Sequence, residues 1–254
     1  MPTRLISKVD RLIKEILLRN SFLVYKKNSV ILVHVGKCGG SSIRSGIENA
    51  VKNRPDHVIH IKKPPVRRDL NYVLVLRNPI DRIQSAFNWR YKIVVEDMIQ
   101  KNRFKGEYDI LKKYGSLENF ANLLYFKDGN LNRMVARDFL RIHHIKENIS
   151  FYLEDLLKNI SSKQILGTVF AEDIEKNIED LFGYKNTFHK KNNDVKRKKN
   201  ELSQHALINL RKFFSKDYLL IHSLFLMNKI DVSTYNKVLS FELKFSIADE
   251  SEQK

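Results

Sequence analysis

Residues 30–42 read VILVHVGKCGGSS, from Val30 to Ser42. Val30 to Val35 is a short run dominated by β-branched residues that ends at a glycine-rich turn, the pattern of a strand buried on both faces of a parallel sheet. Beyond the turn, Ile43, Ile47, Ala50 and Val51 recur at helical spacing. Ser41 or Ser42 can cap the start of that helix, and Pro55 marks its end. A turn between a buried strand and a helix gathers backbone N–H groups around one point, and the helix N-terminus adds its positive dipole end. Gly36, Gly39 and Gly40 let the backbone come close to a ligand. The segment therefore reads as an anion cradle, against the simpler alternative of a tight turn.

The same logic recurs downstream. Tyr72 to Leu76 is strand-like, Asn78 can cap a helix, and Pro79 suits its first position. Ile80, Ile83, Phe87, Tyr91 and Val94 then mark one helical face. Two βα units in succession predict an α/β fold, a three-layer α/β/α arrangement around a central parallel sheet. Ile165 to Phe170 reads as a further core strand, followed by an amphipathic helix over 173–182 that stops at Gly183. Two helices are expected around 202–214 and 216–227. Residues 97–148 look helical, with Leu117, Phe120, Leu123 and Leu124 on one face, and read as an insertion or lid. Residues 1–25 read as an N-terminal amphipathic helix and 246–254 as a frayed tail. Without a repeat or linker, 1–254 reads as a single domain.

Composition narrows the classes. With 254 residues and 43% hydrophobic content, the chain can bury a sizeable core. Cys38 is the only cysteine, which excludes an intramolecular disulfide and a cysteine-held structural zinc. No segment approaches the roughly 20 apolar residues of a spanning helix, and no signal peptide is legible, so a cytoplasmic, bacterial protein is expected. The net charge of +17 invites a polyanionic partner. The run Lys190 to Lys199, KKNNDVKRKK, reads either as a solvated loop or as a flap over donor phosphates led by Lys190 and Lys191.

Two features separate this cradle from that of a P-loop ATP or GTP enzyme. The lysine, Lys37, precedes Gly39 and Gly40 instead of following the glycines. The second strand ends VLVLRNP, so Arg77 stands where such enzymes carry the aspartate that helps to hold magnesium. An arginine there suits a second phosphate and repels a metal ion.

At this point the residues resemble a family. HVGKCGGSS (His34 to Ser42) is similar to the 5′-phosphosulfate loop of PAPS-dependent sulfotransferases, often written PKTGGTS. LRNPIDRIQS (Leu76 to Ser85) is similar to their 3′-phosphate motif, LRDPxxRxxS. The order, the separation of about 40 residues and the strand contexts also agree. Gly167 to Gly183 and Glu201 to Leu220 resemble later elements of the glycan sulfotransferase branch. The sequence departs from the pattern at Gly36 (proline is common), Cys38 (threonine) and Asn78 (aspartate).

The resemblance implies a P-loop NTPase-like sulfotransferase fold and a donor, PAPS (3′-phosphoadenosine-5′-phosphosulfate), that leaves as PAP. It implies an acceptor hydroxyl on a glycan or other molecule, and no metal or nucleic acid. Lys37 would stabilise the leaving phosphate. Gly36, Cys38, Gly39, Gly40, Ser41 and Ser42 would line the 5′ site, and Arg77 and Ser85 would bind the 3′-phosphate. For the base that takes the acceptor's proton, His60 in the strand-like HVIHI comes first and Glu48 second, with His57 nearby. A surface or packed histidine, satisfied by one backbone bond, is the plainer account of His60. Adjacent His143 and His144 cannot pair as ligands on one helical face. Cys38 reads as a small loop residue, and Trp89 as a core residue that could alternatively approach a nucleotide. A P-loop kinase and a non-catalytic binder of nucleic acid or polyanion stand as rival readings.

Overall fold

The computed structural model describes residues 25–39, 43, 47–184 and 202–239. The expected N-terminal helix, Gly40, Ser41, Ser42, Lys190, Lys191 with their basic loop, and the C-terminal tail lie outside the described residues.

The fold is α/β, built on a four-stranded parallel sheet flanked by helices. The strands are β1 (Val30–His34), β2 (His57–His60), β3 (Asn71–Leu76) and β4 (Ile165–Phe170), in the order β2-β1-β3-β4. All pairings are parallel. Ile31 to Val33 and Tyr72 to Leu76 are almost wholly buried. Such strands have no solvent face, which is why their sequences run apolar without alternation.

Helix α1 (Pro79–Tyr91) follows β3 and continues as a π-turn over Lys92–Glu96. Its start is fixed as the sequence suggests: the Asn78 side chain accepts from Ile80 N–H at 2.9 Å and Asp81 N–H at 3.1 Å, and Pro79 occupies the first turn. Next come α2 (Glu107–Tyr114), α3 (Leu117–Leu123), α4 (Arg133–Phe139) and α5 (Ile149–Asn159). After β4 follow α6 (Ile174–Phe182), closed by Gly183 at φ 67°, then α7 (Gln204–Phe213) and α8 (Ser215–Leu226). Residues 232–239 are also helical.

Two apolar cores result. One lies on the sheet and takes in Tyr152, Leu153 and Leu156 of α5, Ile178 and Phe182 of α6, and Ile221 and Leu224 of α8. The other joins Ile83 and Phe87 of α1 to Leu111, Phe120, Phe139 and Leu210. Residues 97–148 thus supply much of the second core, and their chain then returns to the sheet at His143 and His144.

One ion pair sits inside this second region. Arg90 Nε donates to Glu107 Oε1 at 2.9 Å, with both residues almost fully buried. The same carboxylate oxygen accepts from His143 N–H at 2.8 Å. Removing one member strands a buried charge. Glu107→Ala is therefore expected to lower the unfolding free energy by about 3–5 kcal/mol in urea titration, whereas a loss below about 1 kcal/mol would mean that water reaches Arg90.

Candidate functional site

In a parallel α/β sheet the crevice outside the carboxyl ends of the strands opens where successive connections diverge. Here β1 connects to β2 on one side and β3 to β4 on the other, so the crevice lies beyond β1 and β3. The glycine turn leaves β1 at this place, and Arg77 follows the last residue of β3.

The turn is set by its backbone. Val35 N–H donates to Val75 O at 3.3 Å, which ties the turn to β3. Lys37 then takes a left-handed conformation, φ 72°, as does Gly39, φ 83°. A left-handed non-glycine residue costs about 1–2 kcal/mol and persists only where its surroundings fix it. Gly39 O accepts from Ile43 N–H at 3.3 Å, a helical bond that starts the following helix as the sequence predicts. Cys38 is fully buried, and burial pushes its thiol up to about 12, so it is an inert loop residue.

Cations crowd around Lys37. Burial, then the charges of Arg77, Arg82 and Arg90, lowers its ammonium from the usual lysine range to about 8. Among the described residues no carboxylate forms a salt bridge with it. Its Nζ lies 4.8 Å from the centroid of the Trp89 ring. Trp89 is 44% exposed, which corrects the expectation that it packs in the core. The reason is the phase of α1: Arg82, Ser85 and Trp89 form a stripe at i, i+3 and i+7, while Ile83, Ala86 and Phe87 enter the core. Ser85 is half-buried on that stripe.

Histidines occupy the other half of the edge. The register aligns His34, the last residue of β1, with His60, the last of β2. Their rings stack at 4.8 Å, the separation of neighbouring strands. His60 Nδ1 lies 3.1 Å from the His34 carbonyl oxygen. A carbonyl can only accept, so Nδ1 carries the proton and Nε2 the lone pair. His60 is exposed and bonded to that one backbone carbonyl, so it is a surface histidine at the strand edge and not a packed one. His144 arrives from the end of the 97–148 segment at φ 68°, with its ring 6.3 Å from that of His60. Its Nδ1 lies 3.0 Å from where a Cβ on Gly36 would stand. Glycine at 36, where the resembled motif has proline, is what leaves room for this ring.

Arg82 ties the two halves together. Fully buried, it donates from Nη2 to His144 O at 2.6 Å and to Glu147 O, while its Nε and Nη1 have no partner among the described residues. Asn78, where aspartate is common, donates from Nδ2 to Val238 O at 2.6 Å, a bond that an aspartate could not make. Glu172, just beyond β4, accepts from Asn78 N–H at 2.9 Å; burial raises its carboxyl.

The sequence therefore brought Lys37, Gly36, Gly39, Arg77 and His60 to one edge. Glu48 is exposed on the helix after the turn. His57 begins β2, at the far end of the strand from His60, and its ring meets Tyr25. Sequence reading missed His34, Arg82 and His144, although Arg82 stands inside LRNPIDR and His34 is a polar residue in an apolar strand. No helix among the described residues is long and apolar enough to cross a membrane, and no group of three metal-ligating side chains occurs among them. Comparison with protein-family models, curated proteins and solved structures finds no match.

The histidines carry a pH signature. Burial, then His60, holds His34 down at about 4; burial, then His143, Lys37, Arg82 and His60, holds His144 down at about 3. Both lie below the unfolded value near 6.5, so the unfolded chain binds more protons in the interval. The stability tied to the neutral rings is complete above about pH 6.5 and is lost as pH falls towards 4 and then 3. The melting temperature should therefore fall more steeply on acidification in the native chain than in the His34→Asn, His144→Asn double variant. Parallel curves would refute the assignment.

Proposed function

We propose that this protein transfers a sulfuryl group from PAPS to an acceptor hydroxyl, on a carbohydrate in first place, through a P-loop NTPase-like sulfotransferase fold. The observation that supports this most is the crowding of Lys37 with Arg77 and Arg82 at the crevice between β1 and β3, with no salt-bridge partner for Lys37 among the described residues. A partly desolvated lysine that lacks a salt-bridge partner among the described residues and stands beside arginines stores affinity for an anion with several charges. A donor with phosphates at both ends of its ribose fits Lys37 at one end and Arg77 at the other.

The donor supplies an activated sulfuryl group. Lys37 neutralises charge on the phosphate oxygen as the S–O bond breaks. Arg77 and Ser85 hold the 3′-phosphate. His60 offers the lone pair of Nε2 to the acceptor's proton as the new O–S bond forms, and the imidazole becomes imidazolium. Its Nδ1 donor bond to His34 O keeps that tautomer in place. The proposed chemistry uses arginine and lysine where a kinase uses magnesium. Glu172, the carboxylate beside Arg77, is engaged at the start of α1, which counts against a metal-dependent kinase.

Thermal shift with PAP against ATP plus magnesium tests the reading. PAP at a hundred times its dissociation constant should stabilise by about 2.7 kcal/mol, roughly 5–10 °C for a chain of this size. Arg77→Ala should weaken PAP about 10- to 100-fold. Preference for ATP with magnesium would sink the proposal. Polyanion binding that falls steeply with salt and survives Arg77→Ala would favour the non-catalytic alternative. If PAP does bind, labelled sulfate transfer from PAPS onto a panel of glycans identifies the acceptor.

The lowered Lys37 gives a second expectation. An anion binds the ammonium form, so the bound complex holds the proton more tightly and affinity is highest below about pH 8. PAP affinity should fall as pH rises from about 7 to 9.5, and Lys37→Arg, which stays charged, should flatten the calorimetric profile. An unchanged slope would place the ammonium elsewhere in the mechanism.

A further inference from the structure

The seat that Lys37 occupies is unusual for a buried-side ammonium. The groups whose charges face it are Arg77 after β3, Arg82 and Arg90 on α1, Cys38 in its own turn, and His144 from the chain before α5. The arginines are like charges, and the Cys38 thiol stays protonated because burial pushes it up. What does meet the ammonium is the face of Trp89, at 4.8 Å. The negative face of an indole ring attracts a cation, and does so more strongly away from water. Trp89 is also a large apolar side chain left 44% exposed on an otherwise well-packed helix. It lies one turn beyond Ser85, on the stripe of α1 that faces the turn.

We propose that the face of Trp89 is the resting seat of Lys37: the ring stands in for the anion while the crevice is empty, and hands the ammonium over when a phosphosulfate arrives. Trp89 is then a positioning residue. It keeps the Lys37 side chain extended along α1 instead of letting it turn away from the arginines into solvent. This deepens the donor reading above and rests on it only for the identity of the incoming anion.

Trp89 is the only tryptophan in the chain, so its emission reports on this site without labelling. In the native protein, PAP should change the emission saturably, with the same dissociation constant as thermal shift gives. The seat itself is read without any anion, by following acetic anhydride labelling of Lys37 against pH with mass spectrometry. Trp89→Leu keeps bulk but removes the π face, so the ammonium loses support and the labelling midpoint should move down by about half a unit to one unit. Trp89→Phe should keep a midpoint close to native. Because Trp89 is exposed, both variants should melt near the native temperature, which separates the effect from misfolding.

A Trp89→Leu midpoint equal to the native one overturns the proposal. So does PAP that stabilises the protein while leaving the emission unchanged. If PAP neither stabilises the protein nor alters emission, but the midpoint still moves in Trp89→Leu, the donor reading falls and the seat stands.

Discussion

Positive charges of one sign are held together at the carboxyl edge of β1 and β3, and much of the local structure works against their repulsion. The Lys37 backbone is fixed in a left-handed turn pinned to β3 through Val35 and Val75, which keeps the root of its side chain at this edge. Arg82 is locked by the carbonyls of His144 and Glu147, which accept its guanidinium hydrogens inside the protein. Arg77 extends from the end of a strand that is buried along almost its whole length. Repulsion of this kind is tolerated because backbone dipoles and a packed sheet hold each group from behind. An anion that enters relieves it.

The histidine half of the edge follows from strand pairing. His34 and His60 stack because parallel register puts them opposite each other, one strand spacing apart. The bond from His60 Nδ1 to the His34 carbonyl oxygen is possible at this end of β2, where the ladder has run out and a carbonyl is free to accept from a side chain. His144 completes the group only because position 36 has no side chain. Gly36 and His144 thus fit one another across more than a hundred residues of chain. Proline at 36 would crowd the ring unless the chain before α5 moved.

Residues 97–148 link the two halves. Their apolar side chains build the second core with α1 and α7, and their last residues run past the glycine turn. The buried Arg90 and Glu107 pair sits between these tasks, since Glu107 also accepts from the His143 backbone. A disturbance in the helical core can in this way reach the histidine edge through the backbone of residues 143 and 144.

Sequence alone determined the strands around 30–34, 71–76 and 165–170, the helix cap at Asn78 and Pro79, and the stop at Gly183. Each depends on a local property: continuous β-branched runs, a side-chain oxygen near free N–H groups, or a residue that accepts positive φ. Placing Lys37, Arg77 and His60 at one edge was also legible, because in a parallel sheet every strand ends on the same side. Tertiary structure decided the rest. Helical spacing shows which residues share a face of α1, but not which face meets the core, so Trp89 was misread and Arg82 overlooked. His144 reached the site through packing of the second core, a long-range contact that leaves no mark in the residues around it. Periodicity is local, whereas convergence of distant segments depends on register and packing.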